Sequence, residues 1–109
     1  MKCDCGHTNE ERTWAGTGLK FVITITAEGF SMFDDDWKVV FSCGRKTFEV
    51  TKAEASIGED DSFMVNVDTS LLGVGTLVAT TYAYIPDEDW EGGFRTEVDQ
   101  QELLLIKEV

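Results

Sequence analysis

From position 19 onward the chain alternates. Leu19, Phe21, Ile23, Ile25 and Ala27 stand at every second position with Lys20, Val22, Thr24 and Thr26 between them. That period of two, in β-branched company, is the signature of a strand with one buried face. Glu28-Gly29 breaks the run. In the next run, 37–43, Trp37, Val39, Phe41 and Cys43 share a face. Gly44-Arg45 then turns the chain into 47–51, where Phe48 and Val50 point to the core, so 37–51 reads as a hairpin. Residues 53–57 have room for one helical turn. Phe63, Val65 and Val67 mark a further strand. Asp68-Thr69-Ser70-Leu71-Leu72-Gly73 then reads as a capped short turn, with Asp68 or Thr69 accepting backbone N–H groups and Gly73 taking a left-handed exit. In 76–85, Leu77, Ala79, Thr81, Ala83 and Ile85 alternate with Val78, Thr80, Tyr82 and Tyr84, and Pro86 ends the strand because it cannot donate to the ladder. The stretches 94–98 and 102–106 predict one long strand or two short ones. A helix over 97–108 is the alternative, since Glu, Gln, Leu and Lys favour it.

These segments predict an all-β protein, an antiparallel immunoglobulin-like β-sandwich of about six or seven strands at a spacing of roughly 8–12 residues. No helices alternate with the strands, which argues against a parallel α/β sheet. Residues 1–18 are polar with glycines at 6, 16 and 18, and predict a flexible N-terminal arm anchored by Trp14. Residues 19–109 are expected to form a single β-sandwich domain, as the total of 109 residues is long enough for one core and too short for two.

Charge narrows the partners. Twenty-one acidic against nine basic residues give a formal charge of −12, a field that repels phosphate backbones and anionic lipid. The expectation is therefore no nucleic acid, no membrane, and a protein partner with basic or apolar surface, self-assembly included. The start of the chain has no apolar run of the secretory type, and Leu103-Leu104-Leu105-Ile106 is far too short to span a bilayer. Three cysteines, an odd number, argue against a disulfide framework. Together these predict a soluble protein, cytoplasmic at synthesis.

Candidate chemistry is sparse. Cys3, Cys5, His7 and Cys43 have the right types for a zinc site. However, one residue separates Cys3 from Cys5 where about two to four are usual, and Cys43 continues a buried strand face as a small hydrophobe. The acidic clusters at 34–36, 59–61 and 87–91 invite calcium, but none has the spaced ligand pattern of a calcium loop, and solubilising charge on turns explains them as well. Paired carboxylates also suggest glycoside hydrolysis, yet nothing marks a pair in an apolar pocket. The one histidine lies in the arm, which argues against Ser-His and Cys-His catalysis. No cofactor is expected, and no catalytic residue.

An acidic-aromatic motif occurs twice, as Asp34-Asp35-Asp36-Trp37 and Asp87-Glu88-Asp89-Trp90. The two copies differ in phase. Trp37 belongs with Val39 and Phe41 and is expected in the core, whereas Trp90 precedes Glu91-Gly92-Gly93 in a loop where a ring can meet a partner or lie as a lid on one end of the core.

Three stretches bear on family. They are Phe21-Val22-Ile23-Thr24-Ile25 leading to Gly29-Phe30 and the acids at 34–36; the run from Val67-Asp68-Thr69 through Leu72-Gly73-Val74-Gly75-Thr76-Leu77; and Ile85-Pro86-Asp87-Glu88-Asp89 before Gly93-Phe94-Arg95. In pattern and order, over roughly residues 19–98, the chain resembles the small β-sandwich modules of phage and prophage tail assemblies, in particular the N-terminal domain of baseplate upper proteins. The resemblance implies an immunoglobulin-like sandwich that joins virion parts and is not an enzyme. Those proteins continue into a helical linker and a mount for the receptor-binding protein, where this chain stops.

The resulting expectation is a non-enzymatic structural or adaptor module acting by protein–protein contact in a tail or baseplate-like assembly, with virion association implied by the resemblance. Its partner-binding residues are expected to be Trp90, Asp87, Asp89 and Glu91, with Asp34, Asp35 and Asp36. The alternative is a sandwich that binds carbohydrate or depends on calcium, with Trp90, Tyr82 and Tyr84 as stacking surfaces.

Overall fold

The computed structural model describes residues 2–6, 12–16, 18–58 and 62–108. Among these, nine strands form two sheets: β1 Lys2–Gly6, β2 Arg12–Trp14, β3 Gly18–Thr26, β4 Asp36–Cys43, β5 Lys46–Thr51, β6 Ser56–Ile57, β7 Phe63–Asp68, β8 Gly75–Pro86 and β9 Phe94–Lys107. The four-stranded sheet runs β1-β3-β7-β6 and the five-stranded sheet β2-β9-β8-β4-β5. In the lettering of immunoglobulin domains these are A-B-E-D and G-F-C-C′, with β2 as a split piece of the first strand. Every neighbouring pair is antiparallel except β2 with β9, which runs parallel. The fold is therefore the all-β, immunoglobulin-like sandwich expected, with short edge strands raising the number.

The alternation explains the core. Phe21 and Ile23 from β3, Trp37, Val39 and Phe41 from β4, Val65 and Val67 from β7, and Leu77 and Ile85 from β8 are all buried between the sheets. Large and small side chains are matched across β4 and β8: Phe41 lies opposite Ala79 and Trp37 opposite Ala83. The small partners leave room for rings. Phe21 stacks on Phe41 with centroids 5.3 Å apart, and Trp37 meets Phe63 edge-on at 5.1 Å. Antibody domains place a buried Trp on this same strand against an inter-sheet disulfide. Here β3 and β8 hold no cysteine, and aromatic packing occupies the space between the sheets.

Two expectations change, and the choice left open over 97–108 is decided. Two pieces of the segment expected to be an arm are paired, Lys2–Gly6 with β3 and Arg12–Trp14 with β9. At five and three residues these strands are too short for a hydrophobic period to stand out in the sequence. The Trp14 ring is exposed; that segment is held instead through the backbone, where the Trp14 carbonyl accepts from Thr69 Oγ1 at 3.5 Å and Ala15 N–H donates to Lys107 O at 2.7 Å. The stretch 97–108 is strand, not helix, through Lys107. The turn after β5 is a 3-10 turn at Lys52–Glu54, one residue ahead of the place expected. After β7 the expected cap is present: Asp68 accepts from Ser70 N–H at 3.0 Å, which with the Ser70 hydroxyl holds its carboxyl below the usual range.

The contrast between the two indoles is measurable. Trp37→Ala should lower the unfolding free energy by about 3–5 kcal/mol, the cost of a large aromatic cavity, while Trp90→Ala should change it by less than about 0.5 kcal/mol. Urea denaturation of both variants checks this, and equal losses would contradict the packing described.

Candidate functional site

The two acidic-aromatic motifs lie at the same end of the sandwich. β4 and β8 are antiparallel neighbours with Asp36 opposite Tyr84, so the loop that precedes β4 and the loop that follows β8 emerge at one end. A shallow groove of about 450 Å³ lies between them, lined by Asp34, Asp35, Asp36, Tyr84, Pro86 and Phe94, with Gly93. Tyr84 and Phe94 form its apolar wall, ring edge to face at 5.7 Å.

The first loop, 27–35, is tied down from below. Met32 is buried, and the Trp37 Nε1–H donates to its carbonyl at 3.2 Å. Asp35 caps the turn: its carboxylate accepts from Ser31 N–H at 2.8 Å, and its own N–H returns to the Ser31 carbonyl at 2.8 Å. From the side, Lys52 Nζ donates to the carbonyls of Phe33 and Asp35. Asp36 spends one oxygen on the Trp37 N–H at 3.0 Å. Asp34, free of these duties, is exposed, as is Phe33.

The second loop, 87–93, is a closed hairpin tip. Asp87 N–H donates to Gly93 O at 3.0 Å, Trp90 N–H to Asp87 O at 3.2 Å, and Gly93 N–H to Trp90 O at 2.9 Å. Gly92 and Gly93 adopt φ of 89° and 84°, which strain any other residue type. The Asp87 carboxylate accepts from Asp89 N–H at 3.0 Å and from Arg95 at 2.9 Å. Arg95 also donates to the Glu28 carbonyl at 3.5 Å, so one guanidinium joins the two loops. Asp87 thus braces the loop, while Glu88, Asp89, Trp90 and Glu91 are exposed at its tip.

All seven expected residues therefore sit at one end of the sandwich, with different duties. Trp90, Asp89, Glu91, Asp34 and Asp36 present surface, and Asp35 and Asp87 mainly hold the loops. Sequence reasoning missed Phe94 and Arg95. Pairing Pro86 with Phe94 across the β8–β9 hairpin would have placed both residues beside the loop. Tyr82 and Tyr84 line the outer face of the five-stranded sheet as expected, half-buried, and Lys38 lies over the Tyr82 ring at 4.9 Å. A hydrogen bond from Lys38 to Glu49, at 3.0 Å, raises the lysine above its usual range.

The other candidates are more dispersed. Cys43 is buried at the far end of β4; burial pushes its thiol up, and Sγ–H points to the Gly73 carbonyl at 3.8 Å. The side chains of Cys3 and Cys5, together with His7 and the acids at 59–61, lie outside the described residues. Among the described residues no three carboxylate, thiol or imidazole groups gather to hold a metal ion, and no helix is long and apolar enough to cross a membrane. No family model matches the chain, and no curated protein matches it in sequence.

Arg95→Ala should cost less than about 1 kcal/mol, as expected for a partly exposed ion pair. Its larger effect should be dynamic: faster hydrogen exchange at the amides of Asp89, Trp90 and Gly93, read by NMR or mass spectrometry. Unchanged exchange there would show that the Arg95 bridge does not hold the loop.

Proposed function

We propose that this protein is a non-enzymatic adaptor module that works by protein–protein contact through its acidic-aromatic end, in a phage or prophage tail or baseplate-like assembly. The observation that carries the contact reading is that both acidic loops leave the same end of the sandwich, one lining a groove with Asp34, Asp35 and Asp36 opposite Phe94, the other presenting an exposed Trp90. Exposed Trp among hydrogen-bonded loop residues is the composition of an interface anchor. In variable-type immunoglobulin domains the corresponding loops, between strands B and C and between F and G, carry the binding residues. That correspondence is one of fold position, and it supports the choice of end without identifying a partner.

The carboxylates favour a partner with basic surface. They stand on solvent-exposed loops, where charge steers encounter and sets specificity more than it adds affinity. They do not face each other across a closed apolar cleft, so general acid–base chemistry finds no support in this geometry. The tail or baseplate setting follows from the resemblance of the three sequence stretches alone.

Placing a photoreactive benzoylphenylalanine at position 90 tests the contact reading in cells that express the chain with its neighbouring genes. A discrete protein adduct is expected from position 90 and none from exposed Gln100, midway along β9 and away from both ends. Asp89→Lys with Glu91→Lys should reduce the adduct about tenfold. No adduct, or an equal one from position 100, would sink the proposal. A rise of several degrees in melting temperature with calcium or a glycan, lost in Trp90→Ala, would transfer the site to a small ligand by linkage.

A further inference from the structure

The end opposite the groove has the complementary character. β4 descends from Asp36 to Cys43, and the Gly44-Arg45 turn then leads into Lys46, whose side chain lies over Gly73. Lys107 is opposite Trp14 in the β2–β9 register, and Lys20 borders a groove of about 460 Å³ with Leu19, Phe48 and Val67. Among the described residues Lys20, Arg45, Lys46 and Lys107 form no ion pair, and the acids near this end are Asp68, Glu102 and Glu108. Large apolar side chains are bare here too: Trp14 is 59%, Val74 55% and Leu71 54% exposed. At the acidic end, by contrast, the nearby bases are occupied, Arg95 by Asp87 and Lys52 by loop carbonyls.

Net charge does not decide whether such ends can meet. β8 has 12 residues, a length of roughly 40 Å at about 3.3 Å per residue, and the molecule's longest dimension is 50 Å. The screening length in physiological salt is about 8 Å. A copy docking at one end therefore senses the local charge and not the total of −12.

We propose that the protein associates with itself head to tail, the basic-apolar end around Trp14, Arg45 and Lys46 of one copy seating on the acidic-aromatic end around Trp90 and Asp89 of the next. The occupant is a second copy because one chain carries both halves of the complementarity, each with bare aromatic or aliphatic surface. The contact is heterologous, so it closes into a ring or extends as a filament according to the rotation between copies. This proposal rests on reading the acidic-aromatic end as the partner-binding end, and it adds the identity of a partner.

Sedimentation velocity of the full chain from micromolar to millimolar concentration tests it. Wild type should form concentration-dependent oligomers that weaken as salt is raised. Trp14→Ser with Lys46→Glu disables one end, and Trp90→Ser with Asp89→Lys disables the other. Each double variant alone should weaken self-association by at least about thirtyfold, the loss of one interface hot spot. Mixed in equal amounts they should form heterodimers and nothing larger, since each retains one intact end. All four positions are exposed or unpaired, and circular dichroism confirms folding of each variant. Wild type that stays monomeric, oligomers that persist in either variant, or a mixture that stays monomeric would each overturn the proposal. Monomeric wild type that still gives a foreign adduct from position 90 would overturn self-association alone and leave the adaptor reading standing.

Discussion

The indole of Trp37 sits where the two sheets close beneath the loop end, and its Nε1–H is satisfied by the carbonyl of Met32 at 3.2 Å. A buried indole needs such an acceptor, because an unpaired N–H in the core costs about 1–3 kcal/mol. The acceptor lies in the loop itself, so packing of the core and placement of the loop are one event. Met32 is buried as part of that event, its sulfur accepting from Ile25 N–H at 3.2 Å. The chain on either side then has little freedom: Asp35 caps Ser31, and Lys52 gathers two carbonyls from outside. The acidic surface at 34–36 is held in place by a core aromatic.

The core strands were legible because each buries one face. The phases read for β3, β4, β7 and β8 match the buried positions residue by residue, from Phe21 to Ile85. β9 was ambiguous for a physical reason. Its inward positions Arg95, Glu97, Asp99 and Gln101 are only half-buried and polar, so no hydrophobic period exists over that stretch. A bulge then removes Leu103 from the pairing: Leu77 is opposite Leu104, and Val78 opposite Glu102. The inward parity switches from odd to even residues, which is why Leu103-Leu104-Leu105-Ile106 reads as an unbroken apolar run. The first strands were missed on other grounds, since at five and three residues they are too short for a hydrophobic period to stand out.

The site was half legible. Burial of Trp37 followed from its phase with Val39 and Phe41, a local property, while the loop position of Trp90 allowed either an exposed ring or a lid on the core. Convergence of the two acidic loops on one end did not follow locally, because it depends on β4 pairing with β8 across the hairpin and β7 that intervene in sequence. Once that pairing is drawn, antiparallel geometry leaves no choice: the start of one strand and the end of the other share an end of the sheet. Asp87 and Asp35 illustrate the remaining gap. As residues they look like contact surface, but their carboxylates are consumed by Arg95 and by backbone N–H groups, and only the three-dimensional partners reveal it.

The duplicated motif is one composition under two constraints. Ahead of β4 the aromatic falls in phase with the core, so it is withdrawn and its acids are left as the rim of a groove. After β8 the chain has already passed Pro86 and leaves the ladder, and the glycines at 92 and 93 close the loop before any core position recurs. The indole there has nowhere to bury itself and stands 56% exposed. Burying that ring against another surface removes apolar area from water at about 25 cal/mol per Å², a gain the monomer forgoes. The surrounding carboxylates keep the exposed ring soluble and bias what can cover it toward positive charge. In the proposed contact, attraction and selectivity thus reside in adjacent residues of one loop, fixed to the sandwich through Asp87 and Arg95.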